Sequence, residues 1–475
     1  MKKIILLTLI LSVLTGCSVG PDYRRPDVAV PADFKELKGW REAQPRDQEI
    51  STKWWEVFDD AVLNELEEQV NVSNQNIALA ESQYRQALAQ VQLARANYFP
   101  TLGAGASYTR SGSTDTGGNF NTADQHQVAL NASWELDIWG KVRRQVEAGT
   151  AGAEASLADL RAMRLSMQAE LALNYFQLRN LDAQKKNLDD TVEAYNKALE
   201  LTQNRYKAGV AAKSDVAAAQ TQLKTTQAQA IDVGVQRAQL EHAIALLMGK
   251  SPADFSLVYD EFKLPQIKIP VGIPSELLER RPDIAAAERR MAAANAQIGV
   301  AKAAYYPALT LSGSMGYQSA ALASLFTAPN FFWAIGPIAL AATLFDGGAR
   351  QAQTKQAMAA YDGTVASYRQ TVLTGFQEVE DNLAALRILD EEAGMQEEAV
   401  SSARESLALT MNQYKAGIIN YLNVVTAQAI ALANERTAIS ISGQRLKAAA
   451  LLVKALGGGW NPADNQESNP DSSTK

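Results

Sequence analysis

Apolar and polar positions along the chain follow two periods. Long stretches rich in Ala, Leu, Gln, Glu, Lys and Arg are typical of amphipathic helices, and the short stretches between them alternate between apolar and polar residues. Proline breaks helix interiors at a cost of about 3 kcal/mol. Because proline is absent from residues 101–251 and 338–461, each of these stretches can hold a long helix.

The two proline-free stretches each predict a helix hairpin. The long helices are expected at residues 141–206 and 349–414, and each would reach roughly 100 Å at about 1.5 Å per residue. Each ends at the sequence Tyr-Lys-Ala-Gly, whose glycine suits a left-handed C-terminal cap. Second helices follow at about 212–248 and 420–456, so each pair should form an antiparallel hairpin.

The alternating stretches predict β-strands with one apolar and one largely polar face. We expect them at about 99–110, 124–138, 306–318 and 331–345; the last alternates poorly and contains Pro337. Strands of about ten residues with aromatic residues near their ends are typical of transmembrane barrels. The candidates for such aromatic girdles are Tyr98, Phe99, Trp139, Tyr305, Tyr306 and Trp333.

Four strands are too few to close a barrel around a lumen, since the smallest outer-membrane barrels use about eight. If these strands lie in a membrane, several chains must share one barrel. The strand count therefore requires an oligomer, although it does not give the number of chains.

The chain consists of a duplicated half. Tyr206-Lys207-Ala208-Gly209 returns as Tyr414-Lys415-Ala416-Gly417, and the order of helix, two strands, long helix and helix occurs twice. This period is far longer than the roughly 20 to 50 residues of a solenoid repeat. The predicted segments are a first repeat at 60–250, a linker at 251–274, a second repeat at 275–458 and a polar, disordered tail at 459–475.

The N-terminus predicts a processed lipoprotein. Residues 1–16 combine a basic start with an apolar segment of secretory length, too short to span a membrane. They lead into Leu14-Thr15-Gly16-Cys17, which looks like a lipobox, in which the Cys17 thiol takes a diacylglycerol group and becomes the mature N-terminus. An ordinary signal peptide with an incidental cysteine is the alternative. Cys17 is the single cysteine, which excludes an internal disulfide and a thiolate metal site.

Composition and motifs predict no catalytic, cofactor or metal site. The net charge of −7 gives no basic footprint for nucleic acid. His126 and His242 have no neighbours at metal-ligand spacing. Neither a phosphate-binding loop nor a dinucleotide fingerprint is present. We therefore expect a protein that is not an enzyme and whose one covalent group is the lipid on Cys17.

Six motifs occupy residues 17–23, 54–55, 135–140, 281–284, 344–348 and 413–417, of which Arg281-Pro282-Asp283-Ile284 is the most specific. In this order they resemble the TolC-like outer-membrane efflux protein family, in its lipoprotein branch of the OprM/NodT type. The resemblance implies an α+β membrane protein that forms a homotrimer. Four strands per chain would make a 12-stranded outer-membrane barrel above a long α-helical periplasmic tunnel. A mixed equatorial belt would draw on residues 17–59 and the linker.

The resemblance also implies the function and the partners. The chain would be a passive outer-membrane duct for small toxic molecules or drugs. A periplasmic adaptor protein would open it, and an inner-membrane pump of the resistance-nodulation-division type would supply energy. Two alternatives stay open. One is an exit duct for proteins in type I secretion, and the other is a periplasmic coiled-coil lipoprotein that forms no channel.

In TolC-like proteins, a tyrosine of the second repeat bonded to an aspartate of the first closes the inner tip of the tunnel. Tyr414 and Asp215 match these two residues, and a phenol–carboxylate hydrogen bond is worth about 1.5–3 kcal/mol. The alternative is that Asp215 caps the next helix. Acidic gate positions of some members are here Asn423 and Thr426, and a basic one is Ile419, so a chiefly apolar and amide-lined constriction is expected. The gate candidates are Asp215, Tyr414, Leu422, Asn423, Val425 and Thr426.

Overall fold

The computed structural model describes residues 18–31, 33–36, 53–114, 116–118, 120–260 and 280–458. Several predictions lie outside these residues. They are the signal peptide at 1–16, the lipidation residue Cys17, part of the linker at 261–274 and the tail at 459–475.

Within the described residues, the order of helix, strand pair and helix hairpin occurs twice. The first half begins with one additional helix. The helices are α1 (Ala61–Ser73), α2 (Gln75–Ala96), α3 (Lys141–Lys207), α4 (Lys213–Leu247), α5 (Pro282–Ala303), α6 (Ala349–Lys415) and α7 (Tyr421–Ala455). The strands are β1 (Thr101–Thr114), β2 (Phe120–Leu136), β3 (Ala308–Ser319) and β4 (Phe331–Ala341).

The chain divides into two compact units. The first unit comprises Met1–Asp27, Gln83–Leu157 and Ala286–Arg369 and contains the four strands. The second comprises Val28–Ser82, Ala158–Ala285 and Gln370–Lys475 and contains both helix hairpin turns.

The four strands of the first unit form one antiparallel sheet in the order β1-β2-β3-β4. Leu102 lies opposite Ala132, Leu130 opposite Met315, and Met315 opposite Trp333. The apolar residues of the period-two pattern therefore share one face of the sheet. The alternate positions, which are small or polar, align on the other face, as Gly103, Asn131 and Ser314 do.

Strand β4 departs from the sequence-based prediction. It ends at Ala341, not at Phe345. Its pairing with β3 also shifts between Leu311 and Gly313, opposite the segment that contains Pro337. Proline has no N–H to donate to the ladder, so the interruption falls at the residue that made this strand the least regular in sequence.

Each helix hairpin has a 67-residue helix followed by a 35-residue helix. Gly209 and Gly417 adopt φ values of +77° and +79° in the turns. In the first turn, the N–H of Gly209 bonds to the carbonyl of Tyr206, and that of Val210 to the carbonyl of Arg205. Such bonds with a left-handed glycine satisfy the last carbonyls of a helix. The two glycines thus end the long helices as the sequence indicates.

The C-terminal ends of α4 and α7, both in the second unit, are closed by equivalent contacts with different side chains. Asn74 Nδ2 donates to the carbonyl of Leu247 at 2.7 Å. Arg281 Nη1 donates to the carbonyl of Ala455 at 3.1 Å. In both repeats a side chain therefore bonds to the carbonyl at the end of the second hairpin helix, but this side chain is an amide in the first repeat and a guanidinium in the second.

A cluster of buried aromatic residues anchors the second unit near its N-terminal helices. Trp54, Trp55 and Phe58 are each 1% exposed. The Phe58 ring lies 4.7 Å from that of Phe176, measured between centroids. Rings of this size dominate the apolar area that a fold removes from water. They form the core against which α1 is held.

Gly249 is predicted to tolerate no side chain. Its φ is +66°, and a Cβ there would lie 2.3 Å from the carbonyl oxygen of Ser73. Gly209 is a matched control, because its φ is +77° but a Cβ would meet nothing within 4 Å. We expect Gly209→Ala to cost about 1–2 kcal/mol from backbone strain alone. Gly249→Ala should cost roughly 4 kcal/mol or more, because the contacted backbone must move. Folded yield and apparent melting temperature check this, and equal losses in both variants would contradict it.

Glu67 on α1 is predicted to make stability depend on pH. It is fully buried, its two carboxylate oxygens have no hydrogen-bond partner among the described residues, and burial raises its pKa well above the usual range. The unfolded glutamate, with a pKa of about 4.3, therefore loses its proton first as the pH rises. The contribution of protonated Glu67 to the free energy of unfolding is therefore fully present below about pH 4.3. It is lost progressively as the pH rises toward the folded-state pKa.

The apparent melting temperature of the wild-type protein should accordingly fall more between pH 5 and pH 8 than that of Glu67→Leu. Glu65→Leu, which changes an exposed position on the same helix, is the control and should follow the wild type. Melting followed by tryptophan fluorescence measures all three. A Glu67→Leu profile parallel to that of the wild type would refute the role of this carboxyl.

Candidate functional site

The turns that follow α3 and α6 lie next to each other in the second unit. Arg205 Nη1 donates to the carbonyl of Lys415 at 2.9 Å, and the guanidinium lies 4.6 Å from the centroid of the Tyr414 ring. Buried side chains behind the two turns form what we call the tip cluster. It consists of Ala219, Tyr414, Tyr421 and Val424, with Leu199, Leu201, Ala218, Met411, Ile419 and Val425 packed against it.

Tyr414 is the centre of the tip cluster. It is 2% exposed, and its ring meets that of Tyr421 edge-on with centroids 5.3 Å apart. Its hydroxyl donates to Oγ1 of Thr202 at 3.3 Å, and Thr202 in turn donates to the carbonyl of Ala198 at 2.8 Å. The phenol is thus bonded to a buried hydroxyl of the first long helix.

The hydrogen bond expected between Tyr414 and Asp215 is not formed within the described chain. Asp215 is half-buried in the first turn of α4, where the helix N-terminus favours negative charge. It does not cap the helix either, since the N-cap is Ala212 without a side-chain bond. Burial, the neighbouring Tyr414 and Tyr195, and then the charge of Asp215 raise the pKa of Tyr421 to about 12.

The remaining gate candidates lie at the start of α7 and have different environments. Val425 is half-buried against the tip cluster. Leu422, Asn423 and Thr426 are exposed, and the Thr426 hydroxyl donates to the carbonyl of Leu422 at 3.0 Å. These three exposed side chains are apolar, amide and hydroxyl groups, so none is charged. Their role at a constriction stays a prediction.

Sequence reasoning missed two residues of this site, Thr202 and Arg205. The sequence offered an indication of Thr202, because the shift of 208 residues that relates the two turns places another threonine, Thr410, at the equivalent position. It offered no such indication of Arg205, since the equivalent residue is Gln413. Its contact with the opposite turn depends on tertiary packing.

Aromatic residues lie near both ends of the strands in the first unit. At one end, Trp139 stacks on Tyr306 with centroids 4.8 Å apart, and Trp134 Nε1 donates to the carbonyl of Tyr98 at 2.9 Å. Trp333, a girdle candidate, lies opposite Met315 within the strand pair. The aromatic residues at the other end were not predicted; they are Tyr108 stacked on His126, and Tyr317 with Phe326 and Phe331.

Residues 18–25, which we call the N-terminal strap, are bound to the first unit. The N–H of Val19 donates to the carbonyl of Trp139 at 3.1 Å, and Arg144 contacts Asp22 at 2.8 Å. A Cβ on Gly20 would lie 2.5 Å from Cα of Gly299, so the strap passes against the helix backbone. The residues that directly follow Cys17 are therefore fixed beside the junction of β2 and α3.

The described residues contain no group of three or more potential metal-binding side chains. Among the helices of this part of the chain, none is long and apolar enough to cross a membrane.

Comparisons with known proteins identify the family. The model of outer membrane efflux proteins matches residues 66–250 and 273–458, and that of the prokaryotic membrane lipoprotein lipid attachment site matches residues 1–18. The probable efflux pump outer membrane protein SepC of Pseudomonas putida is 32% identical over 480 residues, covering 98% of both chains. The outer membrane protein OprJ of Pseudomonas aeruginosa is 32% identical over 460 residues, covering 95% of both. The outer-membrane channel OprN has a TM-score of 0.88 and 30% identity, covering 94% of this chain and 100% of its own.

The chain belongs to the outer membrane efflux protein family. Its lipid attachment site and relatives place it in the lipoprotein branch of the OprM/NodT type. It is a lipid-anchored outer-membrane protein and a transport conduit rather than an enzyme. The resemblance seen in the sequence and the predicted class of fold, with long helices and a four-stranded sheet, are confirmed.

Proposed function

We propose that three copies of this chain form the outer-membrane exit duct of a tripartite efflux system. The observation that carries the proposal is the four-stranded sheet, which has an apolar face and whose outer strands, β1 and β4, each have one edge without a partner strand among the described residues. In lipid, an open edge leaves backbone groups unsatisfied, so the sheet must continue into other copies until it closes. Three copies give twelve strands, within the range of known outer-membrane barrels.

The cargo in this proposal is a small apolar or amphipathic molecule. Relatives from Pseudomonas putida are named for toluene, solvent and antibiotic efflux. An inner-membrane pump of the resistance-nodulation-division type supplies the energy, and a periplasmic adaptor protein contacts the helix turns. The lipid on Cys17 anchors the duct in the outer membrane, and the N-terminal strap holds the anchored end against the sheet-bearing unit.

The tip cluster closes the periplasmic end of the duct in this proposal. Tyr414, Thr202 and Arg205 hold the two turns together through a neutral hydrogen bond and a cation–π contact, each worth about 0.5–1.5 kcal/mol. The hydrogen bond from Arg205 to the carbonyl of Lys415 adds about 1.5–3 kcal/mol. Asp215 lies beside Tyr421. Leu422, Asn423, Val425 and Thr426 contribute the constriction. Closure by several weak contacts is reversible, as a gate opened by an adaptor requires.

Substitution of Tyr414 tests the gate. Tyr414→Ala removes a ring that is 2% exposed in the tip cluster, whereas Tyr206→Ala changes the equivalent residue of the first repeat, which is 44% exposed. Truncation of a buried aromatic residue costs about 3–5 kcal/mol. We expect Tyr414→Ala to raise single-channel conductance in planar bilayers several-fold, while Tyr206→Ala stays close to the wild type. Equal conductance of all three proteins would remove the gate assignment, and absence of any conductance would refute the duct.

Deletion of the gene separates the proposed cargo from the alternatives. Cells that lack the protein should become more susceptible to apolar drugs and solvents, with an unchanged profile of secreted proteins. Loss of one secreted protein without a change in susceptibility would favour type I secretion. No change in either, together with a monomer in detergent, would favour the periplasmic coiled-coil lipoprotein.

A further inference from the structure

Large apolar side chains are exposed on two helices of the second unit. On α4 they are Ile231, Val235 and Leu246, and on α6 they include Ile388 and Met395. Their exposed fractions run from 52% for Ile388 to 76% for Ile231. The α4 residues are spaced by four and then eleven positions, close to one and three helical turns, so they lie on one side of the helix. An exposed apolar patch of this kind commonly marks an interface with another protein.

The duplication provides a template for such an interface, which is the contact between α3 and α7 within the chain. Asn180 Nδ2 donates to the carbonyl of Ile439 at 2.6 Å, and a Cβ on Gly443 would lie 2.5 Å from this nitrogen. Farther along, Asn187 Nδ2 donates to Oε2 of Glu435 at 2.7 Å. These contacts hold a helix of the first repeat directly against a helix of the second.

The shift of 208 residues transfers the α3–α7 contacts to α6 and α4. A third contact, between Lys454 Nζ and Oγ of Ser166 at 3.4 Å, is included. The equivalent pairs are Ile388 with Ile231 and Val235, Met395 with Gln227, and Thr374 with Leu246. All five exposed apolar residues therefore occupy positions whose equivalents form a contact between helices of the two repeats.

Both sides of the contact have changed together between the repeats. Asn180 and Gly443 form a polar and closely fitted pair. Their equivalents, Ile388 and Val235, are both branched apolar residues and are both more than half exposed. An apolar face on α6 is thus matched in chemistry by an apolar face on α4, and neither is covered by the described part of the chain.

The sheet has the same arrangement as the helices. Strand β2 of the first repeat pairs with β3 of the second, and one edge of β1 and one of β4 have no partner strand among the described residues. Likewise, α3 of the first repeat contacts α7 of the second, while α4 and α6 carry the exposed faces. A single relation between copies, first repeat against second repeat, would cover both the strand edges and the helix faces.

We propose that the α4 face of one copy packs against the α6 face of the next, with Ile231 and Val235 on Ile388. This contact continues the α3–α7 interface into the neighbouring copy, and burial of apolar side chains stabilises it. It joins two different surfaces, so it is heterologous and generates a closed ring. The inference deepens the proposed function and rests on it only in that several copies lie side by side.

Cysteine crosslinking tests the contact, because Cys17 is the single native cysteine. After oxidation in detergent, Ile231→Cys/Ile388→Cys should give covalent dimers and trimers on denaturing gels. Ile231→Cys and Ile388→Cys alone should stay monomeric there, because each thiol faces a different residue of the next copy. Gln236→Cys/Ile388→Cys is the control. Gln236 is exposed but points about 100° away from Val235 around α4, so this pair should not crosslink.

A charge exchange tests the same contact without crosslinking. Ile231→Glu should reduce the share of oligomer in detergent, measured by native mass spectrometry, and Ile388→Lys in the same chain should restore it. Both residues are exposed in one copy, so these changes leave its core intact. Gln236→Glu is the control and should retain the oligomer.

The outcomes separate this contact from the proposed duct when single-channel conductance is measured on the same preparations. Crosslinks in a single variant, equal crosslinking of the Gln236 pair, or no rescue by Ile388→Lys would overturn the packing. A conducting protein without the crosslink between positions 231 and 388 would overturn it too, and would assign the two faces to another protein. Crosslinked oligomers without conductance would overturn the duct and keep the contact, and a monomer without conductance would overturn both.

Discussion

The structure depends on one constraint, which is the need of every strand backbone in lipid to have hydrogen-bond partners. Each unpaired N–H or C=O in hydrocarbon costs several kcal/mol. In the part of the chain that the structure describes, β2 and β3 are paired on both sides, whereas one edge of β1 and one edge of β4 have no partner strand. Its apolar face, with Leu130 and Met315 side by side, suits lipid rather than water. The proposed assembly accounts for both features, because further copies complete the sheet.

Duplication supplied the backbone of both halves, and divergence gave them different sites. Asn74 and Arg281 close the ends of α4 and α7 by equivalent bonds, so an amide and a guanidinium serve one structural purpose. Tyr206 and Tyr414 show the opposite case, because the same residue is 44% exposed in one turn and 2% exposed in the other. Conservation of residue type between the repeats is therefore a poor guide to role. The burial of each tyrosine and the residues that it contacts distinguish the role of one copy from that of the other.

Local patterns predicted the elements well and the contacts poorly, for a physical reason. Helix ends follow from glycine and proline, which act on their own backbone, so Gly209 and Gly417 could be placed from the sequence. Strand faces follow from alternation in the same way. The partner of Tyr414 depends on how three helices pack, and the phenol meets Thr202 rather than Asp215. Arg205 reaches the other turn through tertiary packing, which no local pattern encodes.

The polar contacts at the tip cluster are of moderate strength. One neutral hydrogen bond at 3.3 Å and one cation–π contact, each worth about 0.5–1.5 kcal/mol, contribute about 1–3 kcal/mol per chain. The hydrogen bond from Arg205 to the carbonyl of Lys415 adds about 1.5–3 kcal/mol. A partner shifts a two-state equilibrium from 1:99 to 99:1 only if it binds the open form about 10⁴-fold more tightly than the closed form, a preference of roughly 5.5 kcal/mol. In the proposed gate, apolar packing and these polar contacts hold the tip shut until a partner with that preference docks, whereas a buried ion pair would resist opening much more strongly.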